Sequence, residues 1–286
     1  MEIKILPVFK NAKNYIDEVT QCNSDILSSW QKYMINPFWS DITQWAPFDI
    51  SYMKPIPIQN IDTLKEQSKI LLQLSLEELH SKFIKITTML PQSDDDPLLV
   101  ALYPICDSNR EVKERQNGVV GSCAFGNIII NINPLANNYY DWISYVFAHE
   151  YHHCVWGHNW YSIRNGQGLY GNFLEYMLNE GQADLFAESL FPQLHPQWNR
   201  FSNSESEEIL WEKFKSILFS TDQQIHRKFM FGDKAENLPW CIGYVFGRLI
   251  ISDYMQKNPN ISFIDLINIT AIDILNGSRF KVNTRQ

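Results

Sequence analysis

The sequence of 286 residues predicts an α+β fold, mostly helical with a small sheet. Two short β-branched stretches, LLVALYPI at 98–105 and FGNIIININP at 125–134, are bounded by turn residues and predict strands. A run of helical stretches follows, at about 138–157, 172–190, 205–219, 240–256 and 262–275. A few strands followed by a run of helices is typical of an α+β domain.

The segment before these strands has a different character. Residues 1–58 are rich in Pro and Trp and predict short helices and turns, whereas residues 61–90 predict one long amphipathic helix. The stretch PQSDDDP at 91–97 favours a solvated loop and is the best candidate boundary. We therefore expect a mostly helical N-terminal region over 1–92 and a second domain over 93–286.

Two sequence signals mark helix ends in the second domain. Ser204 and Glu207 predict a capping box at the start of the 205–219 helix. Ser262 and Gly277 bracket the last helix in the way that helix ends prefer.

Composition excludes several classes of partner. The chain has 24 basic and 32 acidic residues, a formal net charge of −8, which argues against nucleic acid and against an anionic membrane surface. The N-terminus lacks a signal-peptide pattern, and no apolar run reaches the ~18 residues of a membrane span. Five scattered cysteines without a CxxC pair predict reduced thiols, so we expect a cytoplasmic protein.

The stretch AHEYHHCVWGH at 148–158 holds four of the seven histidines and contains the pattern H-E-x-x-H. Residues four apart on a helix share one face, so His149 and His153 can reach one tetrahedral ion. Glu150 lies beside them and is free to handle a proton. The pattern predicts a zinc site; the alternative is a metal-free surface helix.

Neighbouring histidines and a cysteine need separate interpretations. His152 cannot share the ion with both His149 and His153 in ordinary geometry, so we expect it to be packed or to support the site. Cys154 follows a candidate ligand, but its helical direction carries it away from that face. His226 is a weak candidate for substrate contact.

The third ligand decides the type of site. A metzincin would need glycine at position 156 and histidine at position 159, where this chain has Trp156 and Asn159. A glutamate from a following helix is the other common solution, and MLNEGQADLFAESLF offers Glu180 with Asp184 one turn further on. A ligand carboxylate and a second carboxylate that orients an imidazole require this spacing. Gly181 would let the two helices approach closely, or serve plain packing.

Four motifs, FGNIIININP, YVFAHEYHH, NEGQAD and PWCIGYVFGRLIISDYM, together resemble the predicted zinc-dependent protease family DUF2268, which is gluzincin-like. The resemblance covers roughly residues 95–280 and implies a zincin-like metallopeptidase domain with one zinc ion per chain. It implies the metal ligands His149, His153 and Glu180. It also implies that Glu150 is the general base and that Asp184 orients the first histidine.

The resemblance also draws attention to GYVFGR, where Tyr244 and Arg248 fall on one helix face. Either side chain, aimed at the metal, would stabilise an oxyanion, with Tyr244 the candidate catalytic residue. The alternative is a core helix with one aromatic tip. Strand 125–132 resembles the edge strand along which gluzincins pair an extended peptide.

These observations predict a zinc-dependent peptidase that acts on a peptide or protein substrate. The alternative is a non-catalytic zinc-binding protein that binds peptides or a protein partner. Endopeptidase and aminopeptidase activities stay equally open, and the sequence carries no signal for the oligomeric state.

Overall fold

The computed structural model describes residues 1–22, 24–92, 96–106, 112, 114–201 and 206–282. The chain divides into two compact units, Met1–Val155 and Trp156–Gln286. Helices predominate and one small mixed sheet is present, so the predicted α+β, mostly helical fold class is confirmed.

The sheet of the first unit has four strands in the order β1-β2-β4-β3. They are β1 (Ile3–Leu6), β2 (Leu98–Pro104), β3 (Val119–Ala124) and β4 (Asn127–Ile132). β2 pairs in parallel with β1 and β4, whereas β3 pairs antiparallel with β4. The strands predicted at 98–105 and 125–134 are confirmed as β2 and β4.

The interpretation of 125–132 as an edge strand is wrong, because β4 lies between β2 and β3. β3 and β4 form a tight hairpin whose turn residues, Phe125 and Gly126, both have positive φ (51° and 109°). The second strand of this hairpin pairs with β2, which leaves β3 at the edge of the sheet. An extended peptide would therefore add to β3.

The helices of the first unit are α1 (Ala12–Gln21), α2 (Ile26–Trp30), α3 (Asn36–Ile42), α4 (Ile61–Leu71), α5 (Leu76–Met89) and most of α6 (Tyr139–Gly157). Short helical turns occupy Val8–Asn11, Gln31–Ile35 and Ser51–Met53. The single helix predicted over 61–90 is wrong. The stretch forms two helices because the side chain of Ser75 accepts a hydrogen bond from the amide of Glu78 and so caps the start of a second helix.

The N-terminal helices pack on the sheet. Tyr15, Trp30 and Met34 are buried in one cluster with Tyr103 of β2 and Ile129 of β4. The division predicted at 92/93 stays a prediction, whereas compactness divides the chain after Val155. Residues 93–95 of the predicted boundary loop lie outside the described residues.

Helices joined by turns and loops make up the described part of the second unit, with one isolated β-bridge between Asp233 and Leu238. Its helices are α7 (Phe173–Leu190), α8 (Glu207–Lys215), α9 (Gln223–Phe231), α10 (Ile242–Lys257), α11 (Phe263–Ile267) and α12 (Ala271–Gly277), preceded by a wide helical turn over His158–Ile163. Phe173, Leu210, Phe214 and Phe246 share its core. No helix among the described ranges combines the length and the apolar character that a membrane crossing needs.

Two helix ends of this unit correct the sequence analysis. Ser204 lies outside the described residues, and Ser206 caps α8 by accepting the amide of Ile209. Ser262 caps as predicted, with Asp265 completing a capping box, but the helix predicted over 262–275 is two helices. Thr270 starts the second of them by accepting the amide of Asp273.

Candidate metal centre

Aromatic side chains fix helix α6, which carries the H-E-x-x-H pattern, within the first unit. Phe147 stacks on Phe83 of α5 with ring centroids 3.8 Å apart, and Tyr151 stacks on Phe147 at 5.9 Å. The Tyr151 hydroxyl donates to the carbonyl of Leu90 at 2.9 Å. Tyr151, one of the two variable positions of H-E-x-x-H, therefore holds the helix in place. The helix face opposite Phe147 and Tyr151 carries His149 and His153.

His149 and His153 lie one turn apart on α6, with their Nε2 atoms 3.0 Å from each other. Two imidazoles bound to one tetrahedral zinc ion at 2.0–2.1 Å place their nitrogens about 3.3 Å apart. The observed separation is within a few tenths of an ångström of that value, and both rings are partly buried. The donor pair fits a zinc ion.

Glu150 is buried against the sheet. A Cβ atom on Gly121 of β3 would lie 2.3 Å from the Cγ and 2.6 Å from the Oε1 of Glu150. Only a glycine lets the strand pass this close, since a methyl group would overlap the carboxylate. The strand backbone thus sets the position of the candidate base.

The other residues of this cluster agree with their interpretation. His152 is fully buried, as expected of a packed side chain. Cys154 is buried on a different face from the histidine pair and lies 3.1 Å, Sγ to Sγ, from Cys123 of β3. The hydrogen bond between the two thiols lowers the pKa of Cys123, whereas burial raises the pKa of Cys154.

Helix α7 of the second unit carries Glu180 and Asp184, and a capping box fixes its start. Asn172 Oδ1 accepts the amide of Glu175 at 3.1 Å, while the Glu175 carboxylate accepts the amides of Tyr170, Gly171 and Asn172 at 2.8–3.4 Å. These bonds satisfy backbone donors that a helix N-terminus leaves without partners.

Glu180 and Asp184 are both buried, one helical turn apart, and Asp184 is fully inaccessible. Trp198 donates its indole N–H to Asp184 Oδ1 at 3.0 Å and so fixes the orientation of the carboxylate. Burial of two carboxylates on one face is costly unless cations or donors compensate the charge. The spacing and burial are those of a ligand carboxylate with a supporting one.

Gly181 allows a close approach between two helices of the second unit. A Cβ on Gly181 would lie 2.2 Å from the carbonyl carbon of Gly247, and one on Gly247 would lie 2.2 Å from the carbonyl oxygen of Met177. Helices α7 and α10 therefore cross in backbone contact. Gly181 thus has the plain packing role that the sequence left open, at the α7–α10 crossing.

This crossing brings Tyr244 of α10 close to the carboxylates of α7. Burial first, and then the charges of Glu180 and Asp184, raise the pKa of Tyr244 well above its usual value. The hydroxyl therefore stays protonated and can donate a hydrogen bond at neutral pH.

The other candidate oxyanion group, Arg248, is held in a structural ion pair. Its Nε donates to both oxygens of Glu188, at 3.1 and 2.9 Å, and Asn199 donates to the same carboxylate. A guanidinium fixed in this way stabilises the α7–α10 pair. Tyr244 is the better candidate of the two.

His226 was a weak candidate for substrate contact, and this interpretation is wrong. Its ring is buried, and its Nε2 donates to the carbonyl of Ser220 at 2.7 Å. Phe173 packs against the ring at 5.5 Å. The histidine thus satisfies a carbonyl inside the helical core.

Three residues of the candidate site were missed by sequence reasoning. Gly121 has a signal, because a lone glycine inside a strand marks a close backbone approach. Trp198 and the Cys123 partner of Cys154 have none, because both contacts join segments far apart in sequence.

The chain matches the family described as "Predicted Zn-dependent protease (DUF2268)" over residues 72–276. It belongs to this family. The match spans the H-E-x-x-H helix and helices α7 to α11, so the resemblance seen in the four motifs is confirmed. No curated protein and no solved structure matches the chain.

Membership of the DUF2268 family supports zinc as the metal and proteolysis as the general activity. His149, His153 and Glu180 each offer one ligand atom of a kind that zinc accepts, two imidazole nitrogens and one carboxylate oxygen. Both the family description and the donor groups are therefore consistent with a bound metal, and zinc is the metal that the family description names.

Proposed function

We propose that the protein is a zinc-dependent peptidase of the gluzincin type. The observation that carries the proposal is the turn of α6 on which the two imidazole nitrogens converge at 3.0 Å while Glu150 is fixed by the backbone of β3. A structural zinc site has no use for a carboxylate positioned in this way.

His149 and His153 would hold the ion together with Glu180, and Asp184 would keep a ligand imidazole in orientation. The support for Glu180 is its motif, its burial and the family match. When bound, zinc would polarise the peptide carbonyl and lower the pKa of a water molecule to near 7.

Glu150 would accept a proton from the attacking water at its carboxylate and then deliver it to the leaving amine. Tyr244 would donate its hydroxyl hydrogen to the carbonyl oxygen of the cleaved bond as negative charge develops there. The exposed edge of β3, over residues 119–123 around Gly121, would pair with an extended peptide through backbone hydrogen bonds.

The test begins with zinc content, measured by mass spectrometry on wild-type protein and on Glu180→Ala purified without added metal. We expect about one zinc per wild-type chain and a sharp loss in the variant. Glu188→Ala is the matched control on the same helix and should keep its zinc, since Arg248 and Asn199 engage that carboxylate. Zinc retained in Glu180→Ala would refute Glu180 as a ligand.

The second measurement is cleavage of a peptide library by wild type and by Glu150→Gln. We expect the variant to bind zinc and to lose turnover, because only the proton-accepting group changes. A fully active, zinc-loaded Glu150→Gln would refute the mechanism. A wild type that binds zinc and retains library peptides without cutting them would favour the non-catalytic alternative.

A further inference from the structure

Two cysteines that the peptidase mechanism does not use lie in contact beside the site. Cys123 Sγ on β3 and Cys154 Sγ on α6 are 3.1 Å apart, although 31 positions separate them in sequence. Both are free thiols. This sulfur–sulfur distance is about 1 Å longer than the 2.05 Å of a disulfide bond.

Their places in the fold connect them to the candidate catalytic groups. Cys154 directly follows His153 on α6, and Cys123 lies two residues beyond Gly121, whose backbone contacts Glu150. A bond between the two sulfurs would join the edge strand to the helix of the two imidazoles.

The two thiols differ in access. Cys123 is partly exposed on the edge strand, whereas Cys154 is 3% exposed. A small oxidant would therefore meet Cys123 first, and Cys154 would be the thiol that resolves the product. This is the arrangement of redox-sensing cysteines, an accessible thiol beside a resolving one.

We propose that Cys123 and Cys154 form a redox modification site that closes reversibly to a disulfide when the protein meets a hydroperoxide. The Cys123 sulfur attacks the peroxide oxygen, which breaks the O–O bond, gives a sulfenic acid and releases water or an alcohol. The Cys154 sulfur then attacks the sulfenic sulfur, and the S–S bond forms as a second water leaves. Two electrons pass from the thiols to the peroxide, and a dithiol reductant reverses the reaction.

Closure has a mechanical consequence for the candidate metal site. The sulfurs must approach by about 1 Å, and the part of this approach that side-chain rotation does not supply moves β3 or the His153 turn of α6. Mutation of groups that orient metal ligands typically costs roughly 10–100-fold in metal affinity, which sets the scale for moving a ligand helix. We expect the oxidised protein to bind zinc about tenfold more weakly; this expectation rests on the proposed function, whereas the disulfide itself does not.

The experiment treats the full wild-type chain with equimolar hydrogen peroxide, blocks the remaining thiols with an alkylating reagent and measures the intact mass. Trypsin leaves both cysteines in one peptide, 116–164, because no Lys or Arg lies between them. Cleavage before Asp141 then splits this peptide unless the disulfide holds its halves together. We expect two fewer alkylated thiols and a 116–164 peptide that separates only after reduction.

Variants sharpen the result. Cys154→Ser should stop the reaction at oxidised, unlinked Cys123, and Cys106→Ser, a partly buried cysteine outside the pair, should oxidise like wild type. The proposal is overturned if both thiols of the wild type are alkylated after peroxide, or if the disulfide formed involves Cys22 or another cysteine. Peptide mapping of the wild-type protein shows whether Cys123 and Cys154 form a disulfide even if a variant fails to fold.

Zinc affinity, measured by chelator competition on reduced and oxidised wild type, completes the test. Equal zinc affinity in the two forms would refute the link to the metal site. The disulfide itself would still be decided by the peptide mapping. A wild type that binds no zinc in either form would refute the proposed function and leave the redox site intact.

Discussion

The backbone of β3 passes directly against the carboxylate of Glu150 at Gly121. Gly121 pairs with Ile130 of β4, so the hairpin register determines which residue faces the carboxylate. A slip of one residue would put Val120 or Ser122 there, with a side chain in place of hydrogen. The position of this candidate base thus depends on strand pairing as well as on its own helix.

We predict that Gly121→Ala lowers kcat by about 100-fold, since a displacement near 1 Å at a catalytic group has that effect. The added methyl would lie 2.3 Å from Glu150 Cγ and would push the carboxylate aside. Peptide cleavage and zinc content are measured together. Gly157→Ala is the control, because a Cβ there meets nothing within 4 Å. Unchanged kcat in Gly121→Ala would contradict the contact.

Tyr244→Phe removes one hydroxyl and leaves the ring. We predict a loss in kcat of about 100-fold with zinc content and KM little changed, as for removal of an oxyanion donor. Because the pKa of Tyr244 is raised, its proton stays on at pH values where an ordinary tyrosine begins to ionise. The alkaline limb of the wild-type pH–rate profile below pH 10 should therefore belong to another group.

Tyr254→Phe, on the same helix, is the matched control and should keep full activity. A Tyr244→Phe enzyme with wild-type kcat would show that the aromatic tip is only packing, the alternative that the sequence left open.

Residue-scale features were predictable where the chemistry is local. His149 and His153 lie four residues apart on one helix, so spacing alone places them on one face with Glu150 beside them. The contacts of Glu150 with Gly121 and of Asp184 with Trp198 depend on how distant segments meet, and local spacing carries no signal for them.

At the scale of elements, helices α7 and α10 cross in backbone contact, and a glycine of each helix lies at the crossing point. Gly181 and Gly247 meet backbone atoms in place of side chains, so no rotamer change can relieve an added methyl. The crossing also sets where Tyr244 lies relative to the carboxylates of α7. Packing and site geometry therefore depend on the same contact.

We predict that Gly181→Ala destabilises the protein by about 1–3 kcal/mol, the cost of overpacking a filled core. Alanine normally stabilises a helix relative to glycine, by roughly 0.5–1 kcal/mol, so the sign of the change is diagnostic. Urea unfolding gives the free energies. Gly157→Ala should show the normal stabilising sign, and a Gly181→Ala protein as stable as wild type would refute the close crossing.

Elements with strong periodicity were predictable, and their ends and partners were less so. Helices α6, α7 and α10 lie where the apolar spacing placed them, within two residues at each end. β3 was missed because Gly121 and Ser122 interrupt its β-branched pattern, and pairing with β4 overrides that weak propensity. The order of strands, which makes β3 the edge, comes from long-range pairing that no local pattern encodes.

At the scale of the whole molecule, burial raises the pKa of six tyrosines, which are Tyr15, Tyr103, Tyr139, Tyr140, Tyr151 and Tyr244. Burial is the largest cause at each of them. The 14% aromatic content of the sequence made a large core predictable, but which hydroxyls end inside it depends on packing.

These tyrosines predict a loss of stability at high pH. In the unfolded chain they release their protons near pH 10, whereas in the folded protein they keep them to higher pH. Above pH 10 the folded state thus binds more protons than the unfolded state, so the free energy of unfolding falls as pH rises. Each unit of pKa difference contributes about 1.4 kcal/mol for a group that is fully buried, and less for a partly exposed one.

Urea unfolding at pH 8 and pH 11 at equal ionic strength, together with tyrosine absorbance near 295 nm, measures this effect. We expect a lower urea midpoint at pH 11 and a late rise in absorbance that coincides with loss of the far-ultraviolet circular dichroism of the helices. Lysine and cysteine also titrate in this range, but they do not absorb as phenolate does, which separates the tyrosine contribution. Phenolate absorbance that rises fully near pH 10 while the helices persist would contradict the burial of these hydroxyls.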